Sequence, residues 1–157
     1  MMEPIDRLFN GNSKFVYNIA MRMTANKQDA EDITQNVFVK LIQKLGSFRE
    51  EADIKTFIYR MTVNESIDLL RKRKHTMGKQ QITENLTDHH SGDVNAPLVL
   101  DRLLQRLSPD HRALVLLSEI SGFSYKEIAA ILNINIGTVK SRLSRAMQKL
   151  TEFAQMG

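Results

Sequence analysis

Cysteine is absent from this 157-residue chain, which therefore holds no disulfide, no thiolate metal site and no cysteine nucleophile. Tryptophan is absent too, and aromatic residues make up 6% of the chain, which leaves few large stacking surfaces. Only three prolines and seven glycines interrupt it, so long helices meet few breakers. The four histidines, His75, His89, His90 and His111, show no ligand-like spacing with carboxylates on a helix, and neither a metal nor another cofactor is expected. HExxH, a P-loop and clustered metal-binding carboxylates are missing, which argues against an enzyme acting on nucleic acid. No apolar run reaches the ~18 residues of a membrane span, and the opening MMEPIDRLFNGNSKF lacks a basic-then-apolar signal pattern. A cytoplasmic location without membrane insertion is the expectation.

What is present is 42% hydrophobic content, enough for real cores, and 22 basic against 18 acidic residues, a net charge of +4 that admits phosphate-bearing partners. Apolar residues recur at three and four spacing through nearly every segment, and strict alternation is missing, so the fold class is all-α. A first helix reads from about Ile5 to Met23, with Phe15, Ile19 and Met23 on one stripe and loosening expected at Asn10-Gly11-Asn12. Asn26 caps a second helix. Asp29, Glu31 and Asp32 lie in its first turn, Ile33, Val37, Leu41, Ile42 and Leu45 face inward, and Gly46 ends it. After a loop, SFREEAD, a third helix runs from about Ile54 to Lys74 and finishes in Arg71-Lys72-Arg73-Lys74. Phe48, Phe57 and Tyr59 suit a core better than base stacking.

From Thr76 to Ala96 the chain carries too few large apolar residues to bury a face, and it reads as a flexible linker between two small helical domains, 1–75 and 97–157. Pro97 opens the second. A short helix covers Leu98 to Leu107, and Ser108-Pro109 supplies a cap and a first-turn proline for a helix from Asp110 to Ile120. Ser124-Tyr125-Lys126-Glu127 is a capping box for a helix from Tyr125 to Leu132, with Phe123 and Ile128 as its hydrophobic staple. Leu132-Asn133-Ile134-Asn135 is a turn in which Asn133 tolerates a left-handed backbone, Ile134 plugs the core and Asn135 caps the helix that follows.

That last helix bears Lys140, Arg142, Arg145 and Lys149 in the stretch INIGTVKSRLSRAMQKL, with no acidic residue. At ~100° per residue, Leu143, Ala146 and Leu150 fall within ~50° of Val139 and make the inward stripe. Thr138, Ser141, Ser144 and Arg145 point the other way, able to reach base edges, and Lys140 and Arg142 flank them where phosphates would lie. Lys149 alone is accounted for by the helix dipole. A helix, a turn of about three residues and a basic helix form a helix-turn-helix, so DNA is the expected partner.

Two motifs sharpen this. DAEDITQNVFVKL (Asp29 to Leu41), followed by SFREEADIKTFIYRMTVNESIDLLRKRK (Ser47 to Lys74), resembles region 2 of the extracytoplasmic-function (ECF, group IV) sigma factors of the sigma-70 family. LSPDHRALVLLSEISGFSYKEIAAILNINIGTVKSRLSRAMQKL (Leu107 to Leu150) resembles their region 4. The resemblance implies an alternative sigma factor, a non-enzymatic subunit that binds core RNA polymerase and starts transcription at promoters. It places Asp32, Gln35, Asn36 and Phe38 on the clamp coiled coil of the β′ subunit and region 4 against the β-flap. It assigns the -10 element to Phe48, Lys55, Arg60, Asn64, Arg71 and Arg73, with the loop Phe48 to Lys55 holding a flipped base. The -35 element falls to Thr138, Lys140, Ser141, Arg142 and Arg145. It also implies an anti-sigma factor that covers these surfaces. Phe57 stands where tryptophan is common in the family, Glu50 where glycine is, Asn36 where glutamate is, and Asn133 and Asn135 where glycine and proline are usual.

The 21 linker residues span ~25 Å relaxed and up to ~70 Å extended, whereas the two elements lie nearly two turns of B-DNA apart. Free protein is therefore expected to be mobile or collapsed, with extension coming from polymerase; in a collapsed form the apolar surface around Leu103, Leu107 and Leu116 is one face of the contact. The alternative is a stand-alone dimeric helix-turn-helix regulator reading a palindrome.

Overall fold

A computed structural model describes residues 4–49, 51–77 and 96–156, and among them the backbone is helical with no strand. The order is α1 (Pro4–Thr24), α2 (Lys27–Lys44), a 3₁₀ turn (Leu45–Ser47), α3 (Glu51–Met77), α4 (Ala96–Arg106), α5 (Pro109–Val115), a wide π turn (Leu116–Ile120), α6 (Tyr125–Leu132) and α7 (Ile136–Gln155). The expected linker lies almost wholly in 78–95, outside the described residues.

Local chemistry sets several of these boundaries. The Asn26 side chain accepts from Asp29 N and starts α2, Ser108 accepts from His111 N and starts α5 with Pro109 in the first turn, and Ser124 and Glu127 close both halves of the capping box of α6. Asn133 sits at φ 58°, the left-handed residue that ends α6. Three expectations need correction. Helix α1 runs unbroken through Gly11, helped by Asn12, whose buried amide donates to Leu8 O at 2.9 Å. Helix α3 begins at Glu51, so Lys55 and the second half of the expected loop are helical. Asn135 has a capping backbone, but its side chain makes no capping hydrogen bond.

Two apolar clusters hold the helices. The first joins Val16 and Ala20 of α1, Ala30, Ile33, Val37, Phe38 and Leu41 of α2, and Ile58 of α3. The second runs across both halves of the chain. Ile19, Met23, Val63 and Ile67 share it with Leu104, Leu107, Leu114, Leu116, Ile128 and the inward stripe of α7, Val139, Leu143, Ala146 and Leu150. Leu107 and Leu116 are buried in this cluster, and Leu103 packs against it. Ile42, expected inside, is 55% exposed. Buried hydroxyls bond along their own helices: Thr62 Oγ1 donates to Ile58 O at 2.7 Å and Ser66 Oγ to Thr62 O at 2.8 Å.

Candidate nucleic-acid interface

On α7 the buried stripe leaves the opposite side free. Lys140, Ser141, Arg142 and Arg145 are exposed, Thr138 is half-buried, and Ser141 Oγ donates to Thr138 O at 3.2 Å. The α6 to α7 turn that aims this helix depends on the left-handed Asn133, whose N–H and that of Ile134 both reach Ala129 O. A long, exposed, basic helix on a packed base is what entry into a major groove needs.

The other predicted residues divide. Asp32, Gln35 and Asn36 are exposed on α2, with Asp32 accepting from Gln28 Nε2 at 3.0 Å. Phe38 is not at this surface: it is 6% exposed and meets Phe9 edge-on at 4.9 Å, so it shapes the helix from within. Val39 and Ile42, 53% and 55% exposed, occupy the outer side instead, one turn and two turns on from Gln35. Sequence reading missed them as surface residues because their apolar character had assigned Ile42 to the core.

Phe48 is half-buried against Phe57, rings edge-on at 5.0 Å, and Lys55 is exposed on the first turns of α3. Arg60, Asn64 and Arg71, also on α3, turn toward the second half of the chain. Arg60 Nε donates to Ile131 O at 2.9 Å and its Nη2 to Ala130 O at 2.6 Å, supplying the last carbonyls of α6. Asn64 lines a cavity of about 200 Å³ shared with Asp110, Leu132, Ile134 and Arg142. Arg71 pairs with Asp110 at 2.8 Å. Arg73 turns back to α2 and donates both Nη groups to buried Asp29, which raises its pKa through that hydrogen bond.

Sequence reading also missed the aromatic trio of Phe15, Tyr59 and Phe123, with ring centroids 4.6 Å apart for Phe15 and Tyr59 and 5.3 Å for Tyr59 and Phe123. Burial, then the charge of Glu127, pushes the Tyr59 hydroxyl up. Equally unforeseen was Arg112, 4% exposed and surrounded by carbonyls; a cation set directly against the apolar run Ala113 to Leu117 was the available signal. Among the described residues no group of three or more histidine, aspartate or glutamate side chains could hold a metal ion, and no helix is long and apolar enough to cross a membrane.

The comparisons with known proteins converge. The family model "Sigma-70 region 2" matches residues 8–76 and "Sigma-70, region 4" matches 98–150. The ECF RNA polymerase sigma factor SigM of Mycobacterium tuberculosis is 30% identical over 149 residues, covering 94% of this chain and 76% of that protein. SigW of Bacillus subtilis is 31% identical, covering 86% and 80%. SigE of Mycolicibacterium smegmatis is 30% identical over 94% of this chain, which spans 60% of that longer protein. Among solved structures, the sigma factor RpoE of Bartonella quintana, crystallised with the anti-sigma factor NepR, superposes with a TM-score of 0.75 at 26% identity over 98% of each chain. Two family matches in the right order and relatives aligned through both of them lead to one conclusion: the chain belongs to the ECF RNA polymerase sigma factors of the sigma-70 family.

Proposed function

We propose that the chain acts in the cytoplasm as an alternative sigma factor: it binds core RNA polymerase and directs it to promoters through two DNA elements. Residues 1–75 serve polymerase binding and the -10 element, 97–157 serve the -35 element, and 76–96 join them. The observation that carries this reading is the exposed basic face of α7, set on a capped helix-turn-helix, in a chain that also contains region 2.

The division of labour follows from the form of the DNA. A duplex element is read by a helix in the major groove, which gives Thr138, Ser141 and Arg145 the base edges and Lys140 and Arg142 the backbone. A melted element offers unstacked bases, which the Phe48 and Phe57 pair and Lys55 can receive, with exposed Asn64 nearby and Arg60, Arg71 and Arg73 joining once they leave their present partners. Asp32, Gln35 and Asn36, with Val39 and Ile42 in place of Phe38, form a mixed polar and apolar patch suited to a helical partner on the polymerase clamp, and region 4 lies against the β-flap. Binding and DNA distortion, not bond chemistry, are the chain's own contribution. As with the Bartonella relative solved with NepR, an anti-sigma factor is a further partner.

The test is co-elution of the purified chain with core polymerase by size exclusion. Retention by the wild type, with loss in Gln35→Ala/Val39→Asp and no loss in Arg145→Ala, supports the assignment of surfaces. A stable dimer that ignores polymerase and shifts a palindromic duplex would replace it with the stand-alone regulator.

A further inference from the structure

Where the end of α3 meets the elbow between α4 and α5 lies a cavity of about 350 Å³ whose lining is unbalanced in charge. Arg73, Lys74, Arg106 and Arg112 line it, and no carboxylate does. Two of these cations are already served: Arg73 donates to Asp29, which is not part of the lining, and Arg112 donates to four main-chain carbonyls. Carbonyl dipoles satisfy the Arg112 donors but supply no counter-charge, although the side chain is buried and buried charges are ordinarily paired. Lys74 and Arg106 are exposed, and among the described residues neither pairs with a carboxylate. The Arg106 guanidinium lies 4.3 Å over the Phe153 ring, a contact that holds it in place and leaves its in-plane N–H donors free.

The remaining lining has a different chemistry. Leu70, Leu107 and Pro109 make part of it apolar, and Gln105, whose Nε2 donates to Arg22 O at 2.8 Å, keeps Oε1 as an acceptor. We propose that this cavity binds a mononucleotide, a phosphate monoester whose base carries an exocyclic amino group. The monoester, with a charge of about −2 at neutral pH, matches the two unpaired cations Lys74 and Arg106. Ser108 Oγ accepts from His111 N and still has its own proton to donate to the phosphate. The base and sugar cover Leu70, Leu107 and Pro109, and the amino group donates to Gln105 Oε1. A volume at the small end of the ~300–1,000 Å³ of ligand pockets has room for one nucleotide. Of the residues given above to DNA only Arg73 lines the cavity, so the site is separate from both DNA faces and does not depend on the sigma-factor reading.

Titration calorimetry of the full chain with adenosine 5′-monophosphate, adenosine and inorganic phosphate, all at matched ionic strength, is the test. The monophosphate is expected to fill one site with a dissociation constant below ~1 mM, and adenosine and phosphate alone to bind about tenfold more weakly or worse. Amide resonances of Ala25, Leu70 and Leu107, around the cavity, shift as it fills. Lys74→Met/Arg106→Met weakens the monophosphate by about tenfold or more, as the loss of charge-assisted hydrogen bonds requires. Lys14→Met/Lys44→Met, an equal loss of charge at exposed positions outside the cavity, leaves the affinity unchanged. If the first variant does not fold by circular dichroism, Lys74→Met alone, which alters only an exposed side chain, lowers the affinity about threefold. A dissociation constant above ~1 mM, equal weakening in the cavity and control variants, or resonance shifts confined to the basic face of α7 overturn the site. Adenosine or phosphate binding as tightly as the monophosphate overturns the class of ligand.

Discussion

Replacing Arg112 with methionine keeps most of the side-chain volume and removes the charge and every donor. In the wild type Nε donates to Leu104 O at 2.9 Å, Nη2 to Leu107 O at 3.0 Å and to Gln105 O at 3.2 Å, and Nη1 to Met23 O. These carbonyls lie at or just beyond the C-terminal ends of α4 and α1, so one cation neutralises the negative ends of two helices. Burial lowers its pKa to about 10, which still leaves it charged at neutral pH. Each buried acceptor stripped of its partner costs ~1–3 kcal/mol. The four do not simply add, because Leu104 O keeps a bond from Leu107 N and the adjoining cavity of about 350 Å³ can admit water. Removing one partner from a buried charged cluster therefore costs about 3–5 kcal/mol, a large share of the ~5–15 kcal/mol that holds a domain together. At ~2–4 °C per kcal/mol for a chain of this size, the melting temperature falls by roughly 6–20 °C. Arg112→Lys keeps the charge without the planar fork and recovers about half of the loss. Thermal unfolding followed by circular dichroism reads both. A methionine variant within ~1 kcal/mol of wild type would refute the reasoning.

Other consequences are open to equally direct checks. Ser124→Ala removes the accepting half of the capping box and costs ~1 kcal/mol in urea unfolding, with m unchanged. Asn133→Val places a branched side chain at φ 58° and destabilises by at least ~1 kcal/mol, whereas Asn133→Gly is neutral or stabilising. His111 Nδ1 is buried without a hydrogen-bond partner, and burial, then the charge of Lys149, lowers the His111 pKa below 6.5. The unfolded chain thus takes up this proton more readily than the folded one. Its contribution to stability is complete above about pH 6.5 and declines as the pH falls below it, and His111→Gln flattens that part of the stability profile. Arg145→Ala weakens duplex -35 binding by roughly five- to 150-fold, the range that one lost base contact of ~1–3 kcal/mol allows, and leaves polymerase binding unchanged by anisotropy.

Legibility tracked the range over which each feature is decided. The capped starts of α2, α5 and α6 and the left-handed Asn133 depend on three or four neighbouring residues, and all were readable. So was the outward face of α7, because a clean apolar stripe fixes the opposite side by angle alone. Gly11 misled because its ~1 kcal/mol penalty is small beside the packing of Phe15, Val16 and Ile19 one and two turns on. Phe38 and Ile42 exchanged places because four residues at helical spacing cover slightly more than one turn, and only the position of α1 decides which of them is covered. The contacts of Arg60, Arg71 and Arg112 join residues 39 to 89 positions apart, and no local pattern announces them. A basic side chain on a helix reads the same whether it awaits a phosphate or already holds a carbonyl.

Run-off transcription on a pool of genomic promoter fragments, with purified core RNA polymerase and with or without the chain, is the most direct measurement. A sigma factor yields discrete new transcripts that begin a fixed distance downstream of a shared two-part motif and disappear with Ser141→Ala/Arg145→Ala. An unchanged transcript pattern, alongside polymerase-independent binding to a palindrome, would contradict it.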